Sequence, residues 1–231
     1  MIGTHNDTVV RSSIRRRRTG LVIAGAVATA GIATYALWLR RWQLKWGATN
    51  DEQKRSLPGD HIVFAPTANT TRAITIDASP ADIWPWLVQM GKGRGGLYSY
   101  DWLDIAFGYL DQPSIERILP EYQSLKAGDV IPIGRGESEK DDFYVHIADP
   151  FQALVIGAND LSFRDRVSWA MVLEPIGHEK TRLLVRVRYK FDPGMAGVLM
   201  NIVMEPASFL MLRKQMLTLK KLAERLASER N

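Results

Sequence analysis

The sequence predicts an α+β protein: a curved antiparallel sheet wrapped around a long C-terminal helix, preceded by one N-terminal transmembrane helix. Three observations predict it. An uncharged run, residues 20–39, lies between two basic clusters. From Gly128 onward, apolar and polar residues alternate in a series of short segments, and clean alternation with one wet face marks antiparallel strands. After Pro193-Gly194 the apolar residues recur at steps of three and four, the period of a helix. Strands grouped beside segregated helices define the α+β class.

The chain has 231 residues, enough for one ordinary domain and an appendage. It contains no cysteine, which removes disulfides, thiolate metal sites and cysteine nucleophiles. The net charge of +5 is unevenly placed. Residues 1–46 hold eight Lys/Arg and one acid, against 22 Lys/Arg and 24 acids in the remainder. A nucleic-acid-binding domain carries its own basic face, so no nucleic-acid partner is expected.

The first element is the span. As a helix at ~1.5 Å per residue, residues 20–39 would cover roughly 30 Å, the thickness of a bilayer's hydrocarbon core. Arg15 to Arg18 precede it; Arg40, Arg41 and Lys45 follow, interleaved with Trp38, Trp42 and Trp46. Such rings favour the membrane interface, and arginines there snorkel to the headgroups. Basic clusters at both ends argue against a buried soluble helix. A cleaved signal peptide is the competing reading, supported by "AVATA", but the run is long for one and ends in arginines. A retained single-pass anchor is expected within residues 1–46. The charge bias slightly favours the domain outside the cytoplasm. Residues 47–70 are polar, broken by Pro58-Gly59 and Pro66, and are expected as a linker that becomes ordered near Leu57.

The domain proper is expected over 71–231. "TRAITIDA" alternates as a half-buried strand. Ser79-Pro80-Ala81-Asp82 is a helix start: serine at the cap, proline at the first turn, and an acid to answer back. The helix carries Ile83, Trp86, Leu87 and Met90 on one face, with Pro85 inside it, so a bent or short helix is expected. "GKGRGG" ends it. Short helices are expected around 100–107 and 114–119. Strands follow in "DVIPIG", "DFYVHIAD", "ALVIGA", "RVSWAMVLEP" and "TRLLVRVRYKF". In the last, Leu183, Val185, Val187, Tyr189 and Phe191 alternate with Arg182, Arg186, Arg188 and Lys190. The arginine face is expected to meet solvent, with the cavity side as the alternative. The terminal helix has a seam of Phe209, Leu212, Met216, Leu219, Ala223 and Leu226, interrupted upstream at Pro206.

This order is the helix-grip arrangement. The stretches "LPGDHIV", "TRAITIDASPADIWPWLVQMGKGRGGLYSYDWLD", "RILPEYQSLKAGDVIP", "WAMVLEP" and "TRLLVRVR" resemble the START-like superfamily. The branch is the one labelled SRPBCC, or polyketide cyclase/dehydrase and lipid transport. "GRGGLYSYDW" is similar to a membrane-tethered bacterial branch of it. The resemblance implies a cavity for an apolar ligand and carries over no catalytic residue set.

The residues themselves point the same way. "GKGRGG" is not a phosphate loop: it lacks the lysine-serine/threonine ending and follows a helix instead of opening one. It is expected as a helix stop that lets Tyr98 and Tyr100 fold back over the sheet, or as a gate with Arg94 facing an acidic headgroup. His5, His61, His146 and His178 show no metal-binding spacing, there is no serine-nucleophile motif, and neither metal nor cofactor is expected. Asp101, Asp104 and Glu116 lie on candidate surface helices, where carboxylates are solvated. The surplus is aromatic, and each large ring buries ~150–250 Å². The expected cavity wall takes Trp84, Leu87 and Met90 from the first helix, and Arg94, Tyr98, Tyr100 and Trp102 from the loop. The strands give it Phe143, Val145, His146, Trp169 and Met171, and the terminal helix Phe209 and Met216. Mostly apolar walls with a few polar groups suit a hydrophobic small molecule or lipid, bound without covalent chemistry. Two other readings remain: an aromatase/cyclase-type enzyme using Tyr98, Asp101 and His146, and an envelope-associated interaction module with a vestigial cavity.

The anchor is testable directly. The full chain is expected to fractionate with membranes and resist alkaline extraction. Val27→Arg with Ile32→Arg, each worth about 2.5–3.5 kcal/mol at a bilayer centre, is expected to release it.

Overall fold

The computed structural model describes residues 31, 38–133, 142–158, 166–190 and 194–230, with only the backbone at 166 and 195–204. The chain divides into two compact units, Met1–Gln43 and Leu44–Asn231. In the first unit Trp38 is 80% and Trp42 47% exposed, the latter on the short helix α1 (Arg40–Leu44). The expected span lies outside the described residues apart from Gly31, Trp38 and Leu39. Among the described residues no helix is long and apolar enough to cross a membrane.

The second unit is α+β. Six strands form one sheet: β1 (Ala68–Ile76), β2 (Val130–Ile131), β3 (Phe143–Asp149), β4 (Ala153–Ala158), β5 (Arg166–Ile176) and β6 (Lys180–Lys190). Their order is β1-β6-β5-β4-β3-β2, with every neighbouring pair antiparallel. The helices are α2 (Asn50–Lys54), α3 (Pro80–Val88), α4 (Asp101–Ala106) and α5 (Met195–Arg230).

Alternation places Leu183, Val185, Met171, Leu173, Leu154, Ile156 and Val145 in one core, facing Leu212, Met216, Leu219, Leu222 and Ala223 of α5. The seam expected on the terminal helix is therefore its buried stripe. The α3 start is as its sequence demands: Asp82 accepts from the Ser79 backbone N–H at 3.1 Å and from its hydroxyl at 2.6 Å. Ile83, Trp86, Leu87 and Met90 are buried on the expected face, and Trp84 and Val88 join them.

Two expectations about helices are corrected. The terminal helix is not broken at Pro206; α5 runs through it for 36 residues. A proline removes one i→i−4 bond, and the packed face downstream of it secures the rest. No helix forms over 114–119; the backbone there is irregular, followed by a 3-10 turn at Pro120–Tyr122. Its polar groups are claimed by the neighbouring loop: the Ser114 hydroxyl accepts from the Tyr98 N–H at 2.9 Å, and the Ile115 N–H donates to Gly95 O at 2.9 Å.

The segment expected as a linker is bound along its length to the outer face of the sheet. Thr49 and Glu52 form a reciprocal cap on α2, with bonds of 2.6 and 3.2 Å. Arg182 donates to both Glu52 oxygens at 2.8 and 2.9 Å, and this bond holds the Glu52 carboxyl down at about 2. Arg188 pairs with Asp60 at 2.9 Å. Arg186 is neither solvent-facing nor in a cavity: it is 2% exposed beneath the segment. Its guanidinium donates to the Asp60 carboxylate at 2.6 Å, to Thr71 Oγ1, and to the carbonyls of Glu52, Gln53 and Arg55. That uses all five of its N–H donors. Thr71 and Ala73, on the outer face of β1 beside Arg186 and Leu184, are buried, so β1 is covered on both faces. At its outer edge the Ala73 N–H donates to Trp46 O at 3.1 Å. There Gly47, at φ +73°, passes so close that a Cβ would lie 2.0 Å from Ala73 O.

Removing one partner of a buried, hydrogen-bonded ion pair costs about 3–5 kcal/mol. Arg186→Ala is expected to lower unfolding free energy by about that amount in denaturant titrations and to expose 55–66 to proteolysis. Arg186→Lys is expected to recover only part, because an ammonium cannot reproduce the fork.

Candidate functional site

Along α5, two stripes lie side by side. Phe209, Leu212, Met216, Leu219 and Ala223 form the packed one. Ser208, Met211, Leu212 and Gln215, spaced i, i+3, i+4 and i+7, form the other and front a cavity of about 200 Å³. Across from them stand Phe143, Val167, Trp169, Val187 and Tyr189 of the sheet, with Ile133, Leu97, Ser99 and Asp104 at the sides.

Polar groups are few and specific. Tyr189 and Ser208 share a hydrogen bond of 2.9 Å, and burial pushes the Tyr189 hydroxyl up. Gln215 donates to Leu97 O at 2.8 Å. Among the described residues the buried Trp169 Nε1 has no hydrogen-bond partner. Asp104 accepts a short hydrogen bond from the Ser99 hydroxyl. Helix α4 thus turns a carboxyl inward, at 1% exposure, and leaves Trp102 69% exposed. That inverts the usual arrangement of a surface helix.

Of the residues expected to line a cavity, Phe143 and Trp169 do so. Tyr98, Tyr100 and Trp102 instead border a second, more polar groove of about 280 Å³, with Asp101, Ser114, Glu116, Lys214 and Thr218. Ser99 touches both spaces. Leu87, Met90, Val145, Met171 and Met216 are solid core, and so is Trp84, whose ring meets Phe151 edge-on. Phe209 turns to the side, its ring 6.5 Å from that of Trp46 and 5.3 Å from the buried Arg72 guanidinium.

Arg94 and His146 lie elsewhere for physical reasons. A helix ends with unsatisfied carbonyls, and Arg94 answers two of them, donating to Val88 O at 2.8 Å and Met90 O at 3.0 Å. Its guanidinium also stacks 4.3 Å from the Tyr122 ring centre. His146 occupies a bulge between Val145 and Ile147, and bulges re-aim side chains. Its Nε2 lies near Gly157, and burial, with His61 adding to it, depresses its pKa.

The glycine-rich loop is a tight brace. Gly91 and Gly96 exchange backbone bonds at 3.0 and 3.1 Å. Gly95 admits no side chain, because a Cβ there would lie 2.6 Å from the Tyr98 hydroxyl. That hydroxyl accepts from buried Gln89 at 2.6 Å. Gln89 also donates to Arg117 O and accepts from the Leu119 N–H. Tyr98 sits at φ +58°, a conformation rare for a bulky residue, and burial pushes its hydroxyl up to about 12.

The sequence reading did not place Ser99, Asp104, Tyr189, Ser208 or Gln215 in a ligand wall. One signal was present: Ser208 and Gln215 are polar residues seven apart beside an apolar seam.

No protein-family model matches the chain, and no curated protein does. Among solved structures it is similar to a protein from Mesorhizobium loti, at 14% identity over 68% of this chain and 98% of that one, with TM-score 0.39. It is similar to one from Thermobifida fusca, at 14% identity over 68% and 94%, TM-score 0.42. It is also similar to norcoclaurine synthase from Thalictrum flavum in complex with dopamine and hydroxybenzaldehyde, at 14% identity over 73% and 93%, TM-score 0.41. These likenesses are weak.

Burial first, and the Asp101 charge with it, raise the Asp104 pKa, while the Ser99 bond opposes them. The folded chain therefore holds this proton more tightly than the unfolded one. Its stabilising effect is fully present below the unfolded value of about 3.9 and is lost as pH rises through the raised folded value. Asp104→Asn is expected to remove that loss. The variant-minus-parent unfolding free energy, measured in denaturant from pH 3 to 8, should rise with pH and then level off.

Proposed function

We propose that this chain is a membrane-tethered protein that binds a small apolar molecule, without covalent chemistry, between its sheet and its terminal helix. The observation that carries the reading is the mostly apolar cavity of about 200 Å³ framed by Phe143 and Trp169. An apolar cavity of ~150 Å³ accepts benzene, so this one suits a single ring with a short chain and is too small for a whole two-tailed lipid. The resemblance to the SRPBCC branch supports an internal ligand. The tether rests on the sequence of residues 20–39, and the exposed Trp38 at the end of that run and Trp42 just after it suit an interfacial belt.

The aromatase/cyclase reading drew on Tyr98, Asp101 and His146. These do not converge: the Tyr98 hydroxyl is bound to Gln89, Asp101 faces the outer groove, and His146 lies in the β3 bulge. The binding reading needs no such convergence and is preferred.

The test combines native mass spectrometry of the purified full chain with calorimetric titration of propylbenzene. A co-purifying small molecule or saturable propylbenzene binding is expected. Val187→Phe, which fills the cavity from the sheet side, is expected to weaken that binding at least tenfold without unfolding the protein. A folded parent chain that carries no guest and binds no propylbenzene overturns the proposal.

A further inference from the structure

We infer that the cavity recognises a cationic amine at its Asp104 end, so that its ligand is a small apolar molecule bearing one protonated nitrogen. This rests on the reading of the cavity as a binding site. Aspartate is almost never fully buried unless paired, and burying a charge without a partner is costly. Yet α4 buries Asp104 and exposes Trp102, a local conflict of the kind that marks functional positions. Among the described residues no cation pairs with Asp104. Its Oδ2 takes the Ser99 hydroxyl, and among the described residues Oδ1 has no hydrogen-bond partner, although the side chain lines the cavity.

The rest of the wall agrees in sign. No lysine, arginine or histidine lines the cavity among the described residues. The Gln215 amide nitrogen is engaged by Leu97 O and the Met90 sulfur, which leaves its acceptor oxygen as the polar atom not used in those bonds. Phe143 and Trp169 present aromatic rings, and ring faces attract cations. An incoming carboxylate or phosphate would find no counter-cation in this wall and would oppose ionisation of Asp104. An ammonium group would supply the missing countercharge to Asp104 through a charge-assisted hydrogen bond, strong in a low-dielectric space. The apolar remainder of the ligand would occupy the volume beside Val187, Leu212 and Met211.

The experiment titrates the full chain in detergent micelles, blanked against micelles alone, with three probes of matched size: 2-phenylethylamine, propylbenzene and phenylacetate. The amine is expected to bind at least tenfold tighter than the carboxylate. Asp104→Asn is expected to lower the ratio of amine to propylbenzene affinity at least tenfold. Equal affinities for amine and carboxylate, or an amine preference that survives Asp104→Asn, overturn the inference and leave the apolar binding site standing. Failure of all three probes, propylbenzene included, overturns both. A second measurement needs no variant. In the unaltered protein the Asp104 carboxyl carbon resonance is expected to move to its ionised position with the amine and to stay with propylbenzene; an unmoved resonance with bound amine also overturns the inference.

Discussion

The contact between α5 and the inner face of the sheet governs this structure. Near its C-terminal end the helix lays Leu219, Leu222 and Ala223 directly into the core beside α3. Further upstream the adjacent stripe of Ser208, Met211, Leu212 and Gln215 faces open space instead. Neighbouring positions on a helix point about 100° apart, so one element is at once plug and wall. Leu212 belongs to both stripes. The hollow is therefore a property of helix rotation as much as of ring size, and a turn of α5 about its axis would exchange core for cavity.

The opposite face of the sheet is organised by polar forces. Alternation along β6 puts Arg182, Arg186 and Arg188 outward, and the chain folds its own residues 47–67 over them. The buried guanidinium of Arg186 is satisfied mostly by backbone carbonyls, which ties a segment of little intrinsic structure to the sheet by its main chain. Because both faces of β1 and β6 are covered, these strands are nearly continuous in burial, although their sequence alternates.

How much of this was legible follows from range. Local rules gave the strands, the Ser79–Asp82 helix start and the α5 seam, because each depends on residues within one or two turns. Arg186 was misplaced because alternation tells which side a residue takes and not what covers that side. Arg94 was misplaced because a charged residue in a glycine loop suggests a ligand, whereas the orphan carbonyls of α3 lay within its reach. Asp104 reads as solvated in the sequence because a six-residue helix is too short for its pattern to reveal an inverted face. Pro206 suggested a break because local propensity cannot weigh the packing that holds a helix together downstream. His146 shows a different limit: the alternation of "DFYVHIAD" already set it opposite Val145, yet its chemistry drew it into the expected wall.

The crossing of Trp46 and Gly47 over β1 has a consequence of its own. A sheet's last strand ordinarily offers a row of free amides and carbonyls to any passing extended chain. Here the backbone amide of Ala73 is already occupied by Trp46, and Gly47 lies against the carbonyl of the same residue. A second molecule seeking to extend the sheet along this border would first have to displace the protein's own main chain, so β-strand addition is blocked at the middle of the strand.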